Sequence, residues 1–456
     1  MPTDPTKPAA SRPLRSGHDL TGGSLPSHLL RMTGAGSLAM LAIWSYLFAE
    51  VLTATRLAGA SAASGIAIGG LCFGLALSLA FAWTAVTTAA IGRLVGMRRH
   101  SDAKAVAMLA VVVGAAGSLA SGLLLFLLQD AIATHFLGDD AAARRMFADY
   151  MRFACLAIGP SALAITANGA QRAFGDARNP MLTNVGATLA GLLGLATIVP
   201  ALDATGTAFG AALLLNRLTM MSIALRKIGV FRDPGRRLFD PLAWRECVDI
   251  LRVVPAQLFV NLAPSLSNAA LLTLAAKGGA PLVAALSLVN RTDSLLGAPL
   301  LAFQGSVAPI AAQNAGAGRF DRVGRLLGLV TVLATAYALG IWGLSQAAVA
   351  LEPQWLPAGT KLDLRLVLHY LNWALPCMAL TGIVVAASSI LIALRRASWA
   401  SGLAVLRAAA SVLLAYAAWP LVGLAALLLA PILATALVAV LGALALRLEI
   451  PARSRA

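Results

Sequence analysis

The sequence predicts an all-α polytopic membrane protein with about twelve transmembrane helices, arranged as two six-helix bundles related by an internal repeat. Three observations lead to this prediction. Of the 456 residues, 59% are hydrophobic and only 12% are charged, whereas a soluble domain carries roughly 25% charged residues. Apolar runs long enough to cross a bilayer recur along the chain, and basic residues occupy the short connections between them. A similar basic, glycine-containing turn also occurs at matching places in the two halves.

The apolar runs place the predicted helices. Each run is about 20 residues or longer, which is the length that a helix needs to span the hydrocarbon of a membrane. None shows the strict alternation of barrel strands. The runs cover approximately residues 33–54, 61–91, 105–128, 147–171, 181–200, 205–225, 251–275, 281–311, 324–350, 366–393, 398–418 and 421–446.

The internal repeat is visible in the connections between helices. IGRLVGMRRHSDAK (91–104) follows the second predicted helix, and AAQNAGAGRFDRVGR (311–325) follows the eighth. The longest and most basic connection, 226–252, lies near mid-chain, so the protein divides into six helices plus six. Two repeated bundles with a substrate held between them are typical of transporters, although channels and membrane enzymes also contain repeats.

These features predict five parts of the chain. The first residues are rich in Pro, Ser, Thr and Gly and contain no apolar core of a signal peptide. The parts are a disordered cytoplasmic tail (1–30), an N-terminal six-helix bundle (31–227), a basic cytoplasmic linker (228–249), a C-terminal six-helix bundle (250–450) and a short cytoplasmic tail (451–456).

The distribution of positive charge predicts the orientation in the membrane. The net charge is +16, which in a soluble protein would suggest a nucleic-acid partner. Here 26 of the 35 Lys and Arg residues lie on the side of the N-terminus and only 7 on the other side. Because basic loops stay in the cytoplasm, we expect a multi-pass protein of the inner (plasma) membrane with both termini cytoplasmic. The expected partners are the lipid bilayer and a small substrate, with no nucleic acid.

Metal and redox chemistry find little support in the sequence. The four cysteines fall singly in or beside different spans, and the five histidines form no pair at metal-ligand spacing. The spans contain no cluster of His, Asp and Glu and no nucleophile arrangement. We therefore expect no metal, no cofactor and no enzymatic activity.

Glu50 is the most unusual residue of the first apolar segment, SYLFAEVLTATRLAG (45–59). An ionised group in hydrocarbon costs several kcal/mol unless it is paired, wetted or protonated. Glu50 is therefore either a coupling residue that exchanges a proton as its surroundings rehydrate, or a residue near the outer headgroups that pairs with Arg56. Both readings are open on the sequence alone.

Polar and aromatic side chains in other spans are candidates for a substrate cleft. Gln257, Asn261, Ser265 and Asn268 recur on one face of the seventh predicted helix. A polar stripe on a membrane helix faces water or other protein rather than lipid, so these residues either line a cleft or form interhelical hydrogen bonds. Asp293 in the eighth helix is a further candidate.

Aromatic side chains can bind flat or cationic ligands by stacking. Trp44, Tyr46 and Trp83 are the candidates for such a role, with packing or interface anchoring as the alternative.

Three prolines fall inside predicted spans, where proline removes a backbone hydrogen bond and permits a kink. Pro160, Pro264 and Pro376 are therefore candidate gating hinges, with static kinks as the alternative.

Three further motifs stand out in the connections and in the eighth predicted helix: QRAFGDARNPMLTN (171–184), SLVNRTDSLLGAP (287–299) and VAPIAAQNAGAGRFDRVGRL (307–326). They resemble motifs of the multidrug and toxic compound extrusion (MATE) family, within the superfamily that also contains flippases of lipid-linked oligosaccharides. The first resembles that family's turn between helices 4 and 5, and the other two resemble the start and the exit of its helix 8. The resemblance covers about residues 30–450.

This resemblance implies two bundles around a central cleft that opens alternately to each side. It implies a monomeric secondary transporter that exports small organic, often cationic, compounds in exchange for H⁺ or Na⁺. Glu50 resembles the helix 1 acid that carries the coupling ion in one branch, because Gly59 follows it at about the family's spacing. We therefore expect H⁺ antiport, with Na⁺ coupling, altered coupling or a flippase of lipid-linked saccharide precursors as alternatives.

The chain also departs from the family. The polar positions of helix 5 that support the helix 1 acid correspond here to Thr188, Gly191 and Leu195, so the partner acid is missing. No proline interrupts the first helix between Thr33 and Gly59. The acids of helices 7 and 10 used by another branch are missing too, which argues against coupling through the C-terminal bundle.

Overall fold

The structure is a computed structural model that describes residues 18–228, 239–277, 280–350 and 361–454. Within these residues the chain forms twelve α-helices and no strand. The helices are α1 (Leu25–Leu57), α2 (Gly59–Gly96), α3 (His100–Leu137), α4 (Ala141–Ala173), α5 (Arg178–Ala201), α6 (Gly206–Ile228), α7 (Pro241–Ala276), α8 (Ala280–Gly316), α9 (Phe320–Ala350), α10 (Lys361–Ala393), α11 (Ala397–Val422) and α12 (Leu424–Ser454).

All twelve helices contain a segment that is long and apolar enough to cross a membrane. The predicted fold class, with twelve spans in two bundles, is confirmed. α1 is uninterrupted over its 33 residues, which agrees with the absence of a proline from its interior.

Four helix pairs are joined by the same turn at one end of the molecule, here called the basal end. The pairs are α2–α3, α4–α5, α8–α9 and α10–α11. Each turn contains one residue with a positive φ, and the next residue donates its N–H to the carbonyl five positions earlier. This is the Schellman arrangement, which satisfies the last carbonyls of a helix. The positive-φ residues are Arg98, Gly175, Gly318 and Arg395.

The recurrence of these turns in both halves agrees with the predicted internal repeat. Arg98 and Arg395 occupy a left-handed conformation that usually favours glycine. α1 begins at the basal end. α12 ends there, because the Arg396 side chain at the α10–α11 turn pairs with Glu449 near the end of α12, at 2.9 Å.

α1 and α7 each contribute to the cores of both halves. The basal part of α1 packs in the C-terminal core through Leu25, Leu29 and Met32, while its distal part lies in the N-terminal core. The first part of α7 lies in the N-terminal core through residues such as Cys247 and Val254. A movement of either helix therefore changes contacts in both bundles.

The segment before α1 corrects the prediction of a disordered tail over residues 1–30. His18–Ser24, here called the strap, lies across the basal end, and Leu20 within it is fully buried. The Leu20 N–H donates to the Gln313 side chain at 3.0 Å, and the Asn314 amide donates to the Leu20 carbonyl at 3.1 Å. α1 then begins at Leu25, inside the predicted tail. Residues 1–17 lie outside the described part of the chain.

Arginines of the α8–α9 region hold the rest of the strap. The Arg322 guanidinium donates to the carbonyls of Gly22 and Gly23, at 3.2 and 3.0 Å. The pKa of the Asp19 carboxyl lies below its ordinary value, chiefly because the Thr21 hydroxyl donates a hydrogen bond to it. A polar, glycine-rich segment is thus ordered because other elements satisfy its backbone groups.

The structure also shortens the predicted linker and the C-terminal tail. α6 extends to Ile228, and α7 begins at Pro241, inside the predicted linker 228–249. α12 continues to Ser454, inside the predicted tail 451–456. Residues 229–238 lie outside the described part of the chain.

The two bundles touch at the basal end through α2 and α8. A Cβ atom at Gly96 would overlap the Gln313 carbonyl, and one at Gly316 would overlap the Arg93 carbonyl. Such close backbone approach requires residues without side chains. The basal ends of the bundles are therefore closed against each other in this structure.

We expect Gly96→Val to disrupt this closed contact. The added side chain collides with the α8 backbone, and overpacking of this kind costs about 1–3 kcal/mol. The apparent melting temperature in detergent should fall. Gly117→Val is the matched control, because nothing lies within 4 Å of a Cβ at that helical position. Equal melting temperatures for the two variants would contradict the close contact.

Candidate functional site

Glu50 lies in the distal half of α1 and is buried inside the N-terminal bundle. Only 2% of the residue is exposed. The Tyr46 hydroxyl donates to Glu50 Oε1 at 3.1 Å, and the Tyr150 hydroxyl of α4 donates to the same oxygen at 3.4 Å. Arg56 is exposed, and within the described residues Glu50 forms no ion pair within 4.0 Å. The alternative of a headgroup-level pair with Arg56 is therefore wrong.

Helix geometry and burial explain why the two tyrosines contact this acid. Tyr46 and Glu50 are four residues apart on α1, so their side chains lie on one face of the helix. Tyr46 and Tyr150 are each 1% exposed. A buried phenol needs a hydrogen-bond partner, and the carboxylate serves both. The three side chains therefore link α1 to α4 in the core of the bundle.

Arg217 of α6 places a positive charge beside this cluster. Its guanidinium lies over the Phe73 ring, 5.3 Å from the centroid, and only 8% of the residue is exposed. It interacts electrostatically with Glu50, yet the two side chains form no ion pair within 4.0 Å. Among the described residues, the Arg217 Nε finds no hydrogen-bond partner. The buried cation is thus held by an aromatic face and leaves the carboxylate free of a direct ion pair.

α5 contributes space to the cluster instead of the polar partners that the family resemblance implied. A Cβ atom at Gly191 would lie 2.6 Å from the Tyr46 ring and 2.7 Å from the Asn216 amide nitrogen. Thr188 and Leu195, the other two positions, are also buried. The partners of Glu50 therefore come from α1, α4 and α6. Sequence reasoning missed Tyr150 and did not connect Arg217 to Glu50.

Two predicted cleft residues lie inside the N-terminal bundle. Tyr46 points at Glu50 and packs against Gly191. Trp83 is 4% exposed, and its indole N–H donates to the Ala110 carbonyl of α3 at 2.7 Å. The packing alternative therefore describes both residues, because their rings pack and hydrogen-bond within the core. Trp44 is half-buried on α1.

The polar stripe of α7 separates into two parts. Gln257 is fully buried, and in the described part of the chain neither polar atom of its side-chain amide has a hydrogen-bond partner. The Asn261 amide donates to the Ser78 carbonyl of α2 at 3.3 Å, so it joins the two halves of the molecule. Ser265 and Asn268 are exposed. Asn261 therefore forms an interhelical hydrogen bond, which was the alternative to a cleft role. Ser265 and Asn268 remain candidates for cleft contacts.

Asp293 of α8 is exposed and interacts electrostatically with Arg407 of α11.

The three hinge candidates, Pro160, Pro264 and Pro376, lie in the interiors of α4, α7 and α10. Their roles as hinges stay predictions. In the described part of the chain, no three His, Cys, Asp or Glu residues are grouped so that they could hold a metal ion.

A buried acid on the first helix of a twelve-helix repeat agrees with the family resemblance. Comparison with known proteins decides whether the chain belongs to that family. The family model described as MatE matches residues 37–196 and again 257–417. The chain belongs to the MatE family. It is a multi-pass membrane efflux transporter, and the predicted MATE membership is confirmed. No curated protein matches the chain.

Solved MATE structures share the fold of this transporter. A mutant of the Vibrio cholerae MATE transporter VcmN superposes with a TM-score of 0.86 at 17% identity, covering 94% of this chain and 97% of its own. A multidrug resistance MATE transporter in an outward-facing conformation gives a TM-score of 0.85 at 20% identity, covering 96% and 99%. The identities are low, so these likenesses establish the fold alone.

A third similar structure belongs to a transporter of the wider superfamily from Pyrococcus furiosus. Its TM-score is 0.83 at 19% identity, and it covers 95% of this chain and 98% of its own. That protein is described as having a binding pocket of reversed polarity, which suggests a different function for it.

We expect Gly191→Ala to destabilise the cluster around Glu50. The added methyl group collides with the Tyr46 ring and with Asn216, at a cost of about 1–3 kcal/mol. Gly74→Ala is the matched control, because a Cβ at that membrane-helix position meets nothing within 4 Å and alanine favours the helix by about 1 kcal/mol. The two variants should shift the apparent melting temperature in opposite directions. A higher melting temperature for Gly191→Ala would contradict the packing described here.

Proposed function

We propose that this transporter exports small organic compounds, including cations, from the cytoplasm in exchange for protons, and that Glu50 carries the proton. The proposal places the basal end in the cytoplasm, in agreement with the basic residues concentrated there. Its support is a single observation: Glu50 is 2% exposed, its carboxyl group accepts two tyrosine hydroxyls, and it forms no ion pair with any residue that the structure describes.

The surroundings of Glu50 favour each of its two protonation states in a different way. Burial away from water disfavours the ionised form. The hydroxyls of Tyr46 and Tyr150 and the charge of Arg217 favour it. Because these influences oppose each other, we propose that a change in hydration around the acid loads or releases the proton. A direct ion pair would hold the acid permanently ionised, and no such pair is present within the described residues.

Protonation of Glu50 changes contacts that extend through α1. The ionised carboxylate holds α1 against α4 through the Tyr150 hydroxyl, and a neutral carboxyl group accepts this hydrogen bond more weakly. The basal part of α1 lies in the C-terminal core through Leu25 and Leu29. A displacement of α1 at Glu50 is thus transmitted to the other bundle. This connection supports alternating access, in which the bundles rock around a site between them.

The chemistry around Glu50 favours a proton over Na⁺. Hard metal cations bind through several oxygen ligands, whereas this cluster offers one carboxylate and two phenols. The adjacent Arg217 guanidinium would also repel a second cation. One proton moving through a membrane potential of 100 mV releases about 2.3 kcal/mol. For a substrate that is exported without net charge, that energy supports a gradient of about 40-fold, since each tenfold step requires about 1.4 kcal/mol.

The candidate contacts for a cationic substrate lie on the C-terminal half. Ser265 and Asn268 of α7 and Asp293 of α8 are exposed. The Asp293 carboxylate attracts a positive charge, although Arg407 of α11 offsets part of that carboxylate's charge. A flippase for saccharide pyrophosphates would instead need basic side chains lining its cleft. Arg217 does not serve that purpose, because it is buried beside Glu50 in the N-terminal bundle. Export of organic compounds by a monomer is therefore the function that we favour.

We expect Glu50→Gln to abolish export driven by a proton gradient. Glutamine has nearly the same shape but carries no titratable proton. The measurement uses proteoliposomes loaded with a fluorescent organic cation, to which an inward proton gradient is applied. Export should fall to the level of protein-free liposomes, while the melting temperature stays close to that of the unmodified protein.

Glu246→Gln is the control for this experiment, because Glu246 is a basal acid that pairs with Arg395 at 3.5 Å. It should retain proton-driven export. A sodium gradient in place of the proton gradient should drive no export through either protein. Full proton-driven export by Glu50→Gln would exclude Glu50 as the carrier, and sodium-driven export that requires Glu50 would exclude the proton as its ion.

A further inference from the structure

A cavity of about 640 Å³ lies at the basal end, where the strap, α1 and α5 meet. Arg31 of α1 and Arg178 of α5 line it, together with His18 of the strap. Both arginines are exposed, and within the described residues neither forms a hydrogen bond or an ion pair. The cavity therefore presents two uncompensated guanidinium groups from two different helices.

The one acid of the cavity wall is already engaged. Asp176 is 5% exposed, and its carboxylate accepts the Asn179 N–H at 3.1 Å and the Asn179 side-chain amide at 2.6 Å. It thereby serves the first turn of α5, which begins at Arg178. The charge that remains available in the cavity is positive.

Apolar side chains continue from the two arginines along the same helix faces. Leu182 lines the cavity, lies four residues after Arg178 and is 39% exposed; Leu189 follows seven residues later and is 63% exposed. On α1, Leu38 lies seven residues after Arg31 and is 55% exposed. Positions four and seven residues apart share a helix face. Each arginine therefore lies at the basal end of an apolar stripe that runs along a membrane-spanning helix.

We propose that this cavity binds the headgroup of an anionic phospholipid. The phosphate lies between the guanidinium groups of Arg31 and Arg178, which suit phosphate oxygens by charge and geometry. The acyl chains lie along the stripes marked by Leu38 and Leu189. Basic pockets between transmembrane helices on the cytoplasmic side are suited to anionic headgroups. A soluble anion would use the arginines but would leave the apolar stripes unused.

The cavity exists as described only while the strap is in place. A Cβ atom at Gly175 in the α4–α5 turn would overlap the His18 carbonyl, so the strap lies directly on this turn. The strap is also bonded to α8 through Leu20 and Gln313. A lipid bound here therefore favours the state in which the basal ends are closed, because a ligand stabilises the state that binds it. This inference is independent of the ion that drives export.

The test compares the protein in nanodiscs of phosphatidylcholine with the protein in nanodiscs that also contain phosphatidylglycerol. We expect phosphatidylglycerol to raise the apparent melting temperature, and native mass spectrometry to show retained phosphatidylglycerol. In the double variant Arg31→Gln/Arg178→Gln, the apparent affinity for this lipid should fall about tenfold or more, since each basic residue near an anionic surface contributes about 1 kcal/mol. Both side chains are exposed, so the variant should fold.

Arg252→Gln/Arg325→Gln is the matched control, because it removes the same charge from exposed arginines at other basal positions. It should retain the effect of phosphatidylglycerol, and so should Glu50→Gln. Equal lipid affinity in the two double variants would overturn the proposal. The same rise in melting temperature with inorganic phosphate in phosphatidylcholine nanodiscs would overturn it too, since the ligand would then be a free anion.

Discussion

The structure depends on how one buried carboxyl group is accommodated without water. Glu50 would be prohibitively costly in an apolar core if its oxygens had no donors. The hydroxyls of Tyr46 and Tyr150 meet this requirement, and the nearby charge of Arg217 reduces the cost of ionisation without forming an ion pair. The absence of a side chain at Gly191 leaves room for Tyr46 to adopt this position. Gly191 of α5 thus acts on the acid indirectly, by leaving space for its partner Tyr46.

Much of the fold could be predicted from the sequence, because membrane spans are local in sequence. Hydropathy alone finds twelve helices, and an isolated acid such as Glu50 stands out against them. The partners of that acid are separated from it by long stretches of chain, and no periodicity connects Tyr150 or Arg217 to it. The presence of Arg217 in an apolar span was the available signal, because a charge inside a membrane requires a partner.

The errors have a common physical cause. Composition reports what a segment can do alone, whereas order in the strap comes from groups supplied by α8 and α9, such as Gln313 and Arg322. For Trp83 the sequence left a cleft role and packing both open, and packing is what the structure shows: the carbonyl that accepts its N–H belongs to α3, and only the tertiary structure shows this. Residue type indicated the chemistry of these groups correctly and left their location undetermined.

α4 connects the acid to the closed basal end. Its distal part carries Tyr150, which donates to Glu50. Its last residue, Ala173, offers a carbonyl that accepts the Gln313 side-chain amide at 2.7 Å, and the same Gln313 accepts the N–H of Leu20 in the strap. Because α5 lacks polar partners for Glu50, the mechanism that we propose has a change in the protonation of this acid act first on α1 and α4. Under that proposal, α4 joins the acid to the contacts that hold the basal ends closed.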